Sequence, residues 1–260
     1  MALTEQETAR LVREAAATLQ KGDLAAAHAI AERGIDAGSE HPFLLKVKAL
    51  WLHNNGQYQE ALRAFHFART LTPDDPSILS GIAGCLAGMG EYDAALKIVD
   101  AALKLAPYDA ATHFLRGWIH EAAGNLPLAR ESYERILSLS PRNVPALAGL
   151  ASVAVRLNDF AAARTRAAEA LALDPRQATA TIALAMAEVA QGEAAAAESR
   201  IRNLLQIDLP SRARGLAWGV LADALDAQGR TEEALDARRE KDGELRRGTA
   251  AAEKSDEPKS

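Results

Sequence analysis

The residues of this chain that could do chemistry are few: six histidines, one cysteine and one glycine-rich run. His113 and His120 fall on one face if their segment is helical. Seven residues then separate them by about 10 Å along the axis. A metal ion needs each ligating nitrogen about 2 Å away, so the pair cannot share one. Cys85 is the sole thiol, so no intrachain disulfide forms, which fits a reducing compartment. The run "GIAGCLAGMG", residues 81–90, invites comparison with a phosphate cradle. It lacks the Gly-Lys-Ser/Thr ending, and no strand pattern precedes it. No Ser/His/Asp or Cys/His set can be assembled by spacing. The chain is therefore expected to be non-enzymatic, with no catalytic residue, no metal and no cofactor.

The elements beneath these residues are better defined than any site. "GQYQEALRAFHFARTLTPDDP", residues 56–76, returns as "GEYDAALKIVDAALKLAPYDA" at 90–110. The period is regular through Gly22, Gly56, Gly90, Gly124, Asn158 and Gly192, and each step is 34 residues. Gly229 follows 37 residues after Gly192, so three residues are inserted near "IDLPSRARG". Five residues after each turn residue stands Ala27, Ala61, Ala95, Ala129, Ala163, Ala197 or Ala234. Seven residues before it stands Ala15, Ala49, Ala83, Gly117, Ala151, Ala185 or Ala222. Seventeen after the middle four stand Pro73, Pro107, Pro141 and Pro175. Fixed recurrence of this kind marks a repeat architecture.

Each unit reads as two helices. Leu79, Ile82, Ala83 and Leu86 carry helical apolar spacing ahead of a turn, in a first helix, A. Glycine, or asparagine, accepts the left-handed conformation that reverses the chain. A second helix, B, follows, and proline ends it by removing a backbone donor and clashing with the preceding turn. The small residues lie where A and B cross. Cys85 shares its repeat position with Trp51, Ile119 and Val153, which predicts a buried, inert thiol. One helix pair cannot bury its own apolar face, whereas a stack of pairs can.

This pattern resembles the tetratricopeptide repeat. Tyr58, Tyr92 and Phe160 stand at the aromatic position of the turn, Phe65 and Tyr133 at that of helix B, and Trp218 at the early helix A tryptophan. Lys48 and Arg116 depart from positions usually apolar in the family, and repeats one, six and seven are worn. The resemblance implies an all-α, right-handed superhelical solenoid of about seven helix-turn-helix repeats over residues 4–247, its concave wall lined by helix A. The segment "RGLAWGVLADALDAQGRTEEALDARREKDGELRR" also resembles the last repeat ahead of the catalytic domain in bacterial repeat-bearing sulfotransferases, although no phosphosulfate-binding loop is visible.

Composition narrows the partners. The chain is 48% hydrophobic but only 5% aromatic, which favours many shallow helix contacts over one deep core. A net charge of −5 offers no excess of cations for phosphates, so nucleic acid is not expected. No run of 18 apolar residues occurs, so no membrane insertion is expected. The first residues lack a basic stretch followed by an apolar run and do not read as a secretory signal, so the expected location is the cytoplasm. Residues 230–247 carry six basic and six acidic residues and read as a solvated capping helix. Residues 248–260 have no large apolar side chain and are expected to be disordered.

The expected working surface is the inner face of the helices A. Counting back from each turn residue, repeat two offers Lys46, Leu50, His53 and Asn54, and repeat four Phe114, Trp118 and Glu121. Repeat five adds Arg156, repeat six Met186, and repeat seven Asp223 and Asp226. Ala148, Val155 and Ile182 fill the middle, while Ser80, Gly84, Ala87 and Gly88 leave repeat three a bare backbone face. Lys46 matches the lysine of the family's clamp for a chaperone's C-terminal carboxylate, but Leu50 replaces an asparagine of that clamp. An apolar peptide or helix of a protein partner is the expected ligand, in a non-catalytic interaction scaffold. The alternatives are the recruiting region of a modifying enzyme such as a sulfotransferase, or a groove for a small, sugar-like ligand.

Overall fold

The computed structural model describes residues 4–255. Fourteen α-helices form seven pairs, with no strand among the described residues. The pairs are α1 (Glu5–Gln20) with α2 (Leu24–Asp36), α3 (Pro42–Asn54) with α4 (Tyr58–Leu71), and α5 (Pro76–Gly88) with α6 (Tyr92–Leu105). Then come α7 (Ala110–Ala122) with α8 (Leu126–Leu139), and α9 (Val144–Arg156) with α10 (Phe160–Leu173). Last are α11 (Ala178–Ala190) with α12 (Ala194–Leu204), and α13 (Ser211–Ala227) with α14 (Thr231–Ser255). The chain divides into two compact units, one up to Leu115 and the other over Arg116–Lys254.

Every reversal inside a pair falls on the residue that the period marks. The six glycines have φ between 75° and 84°, and Asn158 has φ 58°, alone among the described non-glycine residues in being positive. Around Asn158 the exposed carbonyls of α9 are satisfied twice: its own N–H donates to Val155, and the N–H of Asp159 to Ala154, both at 2.9 Å. This paired closure needs a left-handed residue at its centre. The same closure ends α2 at Gly38, with φ 88°. Repeat one has Ser39 where the middle four repeats have proline, and Gly38 supplies the stop. In the middle four repeats, helix B ends at Leu71, Leu105, Leu139 or Leu173, two residues before its proline.

The alanines five after each turn are fully buried, all seven of them at 0% exposure. The small residues seven before it are buried too, from Ala15 to Ala222. Between them lies a seam of large side chains set against glycine. The ring of Phe65 lies where a Cβ on Gly81 would sit, 2.2 Å away. Tyr133 is wedged between Gly117 and Gly149, and a Cβ on either would meet its ring at 2.7 Å. In the N-terminal unit, one core gathers Leu11, Ile30, Leu44 and Val47, and another gathers Phe65, Ile78 and Ile82. In the C-terminal unit, Leu147 and Leu184 close an alanine-rich core, and Ile201, Leu209, Leu221 and Leu225 close the next.

The last repeat departs from the rest. α13 has 17 residues, whereas α3, α5, α7, α9 and α11 have 13 each, so the insertion near residue 210 lengthens α13 at its start. The closing helix also runs past residue 247, to Ser255. Its "TAAAEKS" ending holds strong helix formers, and a segment without core side chains still favours helix on that ground. Of the expected tail, residues 248–255 are therefore helical, and 256–260 lie outside the described residues.

Candidate partner-binding face

The residues with chemical potential are placed for structure. Cys85 is fully buried on α5, and burial pushes its thiol up to about 12, which keeps it protonated and unreactive. "GIAGCLAGMG" spans the end of α5 and its turn, with no preceding strand. His113 is buried, with Nε2 2.9 Å from the Pro107 carbonyl oxygen, and His120 is buried as well. Among the described residues no group of three or more His, Cys, Asp or Glu could hold a metal ion. None of the described helices is long and apolar enough to cross a membrane.

In the N-terminal unit, most of the expected lining residues are engaged with the fold. Lys46 donates to Ser77 Oγ at 2.9 Å, lies 3.7 Å from Asp75, and sits over the Phe43 ring. Leu50 is half-buried against the core that contains Phe65. The ring of His53 covers Gly84, with Nε2 3.1 Å from where a Cβ would be, and meets Tyr58 edge-on. Burial holds the His53 imidazole below its ordinary value, so it stays neutral. Tyr58 in turn covers Gly88 at 2.5 Å. The bare backbone face expected on repeat three is thus roofed by two rings from repeat two; small residues there make room for neighbouring side chains. Ser80 is spent on Thr112, at 2.9 Å, and Ala87 is buried. Asn54 is exposed, and Phe114 is half-buried.

The C-terminal unit keeps more of its face available. Glu121 is a polar hub: its carboxylate accepts from Ser152 Oγ at 2.6 Å and from Tyr133 Oη at 3.2 Å. Arg156 donates to the Glu121 backbone oxygen and brings its guanidinium 4.0 Å from the carboxylate. Sequence reasoning placed both on one face, and the structure joins them. Burial and the Glu121 charge push the Tyr133 phenol well above its usual range. Trp118 is half-buried, and Met186 is 39% exposed. Ala148, Val155 and Ile182, expected to line the wall, are instead buried, because neighbouring helices A pack directly over them. Asp226 pairs with Arg238 of α14, and Asp223 is exposed.

Two features of this unit escaped the sequence reading. The Arg212 guanidinium lies over the Trp118 ring, 6.0 Å from its centroid. The other is a charged lattice between helices B and A: Arg200 holds the buried Glu188 bidentately, with contacts down to 2.7 Å. Glu198 accepts from Gln228, Arg202 and Arg230, which hold its carboxyl down at about 2. No periodic signal marks the pairs that cross between helices, because their members lie 12 to 32 residues apart.

Helix pairs, left-handed closures and alanine seams define an all-α helical-repeat protein. Residues 52–119 and 121–178 match the model of the tetratricopeptide repeat family. The chain is a tetratricopeptide-repeat protein. A tetratricopeptide repeat protein from Parabacteroides merdae aligns over 95% of this chain and 98% of its own, with TM-score 0.69 and 18% identity. The Cut9–Hcn1 hetero-tetramer of the APC/C contains a chain similar over 87% of this one and 48% of its own, with TM-score 0.69 and 20% identity. "Protein CTR9 homolog" of Arabidopsis thaliana is 31% identical over 105 residues, 40% of this chain. The chain spans a tenth of that relative's length and about half of the Cut9–Hcn1 chain. Proteins built from these repeats are in general non-catalytic scaffolds that bind proteins or peptides.

Proposed function

We propose that this protein is a non-catalytic, cytoplasmic scaffold that binds a peptide or helix of a partner protein along the concave side of its helices A. One observation carries this reading. In the C-terminal unit, Trp118 and Met186 stay open on that face while the polar residues between them, Glu121, Ser152 and Arg156, are locked to each other. Open apolar anchors in a rigid polar frame are what an interface hot spot needs. Lys46, Leu50, His53, Asn54 and Phe114 form the corresponding face of the N-terminal unit, and Asp223 and Asp226 lie on that of the last repeat.

The test is affinity capture from the native lysate with wild type and Trp118→Ala, followed by titration of the captured partner's segment. Trp118→Ala weakens that binding by about tenfold or more, since a large aromatic anchor contributes about 2 kcal/mol. Its circular dichroism stays that of the wild type. Gln59→Ala, on the exposed start of α4, changes neither. Loss of binding in Gln59→Ala but not in Trp118→Ala would move the working face to the helices B and overturn the reading.

A further inference from the structure

The insertion before α13 has a consequence for what the face can hold. It adds a turn to the start of that helix, and Arg212 lies in that added turn. Arg212 is exposed and is oriented only by the Trp118 ring, at the outer limit of a cation–π contact. Its neighbour Arg214 differs: it pairs with Asp208 and Glu244 and donates to the Ile207 carbonyl. No carboxylate holds Arg212 among the described residues. One helical turn on, Leu216 is 53% exposed on the same side. A further turn on is Gly219, and its missing side chain is replaced by Lys241 of α14, whose Nζ lies 3.6 Å from the would-be Cβ. Arg212, Leu216 and the Lys241 ammonium therefore line one strip of α13, cation–apolar–cation, over about 10 Å. Beyond the strip lies Asp223, with Arg238 close by on α14, paired to Asp226. Most other arginines of this unit, such as Arg156, Arg164, Arg200 and Arg230, are in ion pairs. Two uncommitted cations around an exposed leucine stand out in a chain of net charge −5.

We propose that this strip, with Trp118 facing it, receives an acidic segment of a partner protein in which Asp or Glu residues flank an apolar one. The apolar side chain lies on Leu216 and Trp118, and the carboxylates reach Arg212 and Lys241. In a polyproline-II segment, with three residues per turn and a rise of about 3.1 Å each, side chains i and i+3 share one face about 9 Å apart, close to the spacing of the two cations. The proposal rests on the groove reading above and adds the charge of the ligand.

The probe is a fluorescein-labelled library of nine-residue peptides with Glu fixed at positions four and seven and uncharged residues elsewhere. A twin library carries Lys at both positions. Anisotropy with purified full-length protein reads the affinity. Wild type binds the Glu library about tenfold or more tighter than the Lys library, and the gap narrows in high salt. Arg212→Gln reduces the gap, and Arg212→Glu with Lys241→Glu reverses it, with circular dichroism unchanged. An equal or stronger response to the Lys library, or a gap that survives Arg212→Glu with Lys241→Glu, overturns the proposal. If Trp118→Ala abolishes binding while the charge variants do nothing, the groove reading stands and this one falls. If no library member responds to either change, both fall.

Discussion

Repeats four and five fill the same space with opposite materials. Nine residues after its turn, repeat four buries Tyr133 and repeat five buries Ala167. Opposite Tyr133 stand Gly117 and Gly149, and one repeat later, in the same two places, stand Ala151 and Ala183. One large ring with two bare backbones matches one methyl with two methyls. Phe65 against Gly81 is the first of these solutions again, in the N-terminal unit. The repeat thus sets large side chains against small ones and lets identity drift, as close-packed interiors require. An alanine at a small position is no more standard than a glycine; each answers a partner that is distant in sequence.

The sharpest way to break this comparison is to remove the ring. Tyr133→Ala leaves a cavity that two glycines cannot fill, and chemical melts read a loss of about 3–5 kcal/mol. Ala167→Gly, at the matching place, costs only about 1 kcal/mol. Gly149→Ala puts a methyl 2.7 Å from a ring atom of Tyr133 and costs about 1–3 kcal/mol. Adding Gly117→Ala and Gly149→Ala to Tyr133→Ala recovers part of the loss, so the three sites couple by about 0.5–3 kcal/mol. Strict additivity would refute volume exchange.

The seam between the last two repeats is polar, and pH exposes it. The carboxyl of Glu198 is held down at about 2, first by the Gln228 hydrogen bond and then by those of Arg202 and Arg230. A depressed carboxyl stabilises the fold fully above its unfolded value and loses that contribution as pH falls toward the folded one. Between about pH 4.5 and pH 2 the wild-type melting midpoint therefore falls more steeply than that of Glu198→Gln. The smallest effect concerns the turns that close the two compared repeats, Gly124 and Asn158. Asn158→Gly relieves a side chain at positive φ and raises stability by a few tenths to about 1 kcal/mol. No gain, or a loss, would mean that the asparagine side chain stabilises the turn.

The architecture was legible because it repeats. A left-handed turn, a buried alanine and a terminating proline each act within one unit, so seven copies of the first two and four of the third average away the noise of any single position. The candidate face was legible only in part. Counting back from the turns placed Trp118, Glu121, Arg156 and Met186 together on one side. It could not tell that Gly84 lies under His53, or that Ile182 is covered by its neighbours, because cover comes from another repeat. Arg212 was missed for the opposite reason: it lies in the segment where the period breaks. The regular part of the sequence records the scaffold, and the irregular part records what is particular to this chain.

The left-handed glycines also have a practical side. Beyond its own chain neighbours, no atom approaches within 4 Å of a Cβ built on Gly22, Gly56, Gly90, Gly124, Gly192 or Gly229. Each reversal is an open port in the polymer, away from the seams that hold helix to helix. Extra residues spliced there add little closure entropy, about 0.6 kcal/mol for each doubling of the loop. A label, an epitope or a protease site can be inserted at each turn in succession. Read one turn at a time, such insertions would report the order in which the repeats open under load.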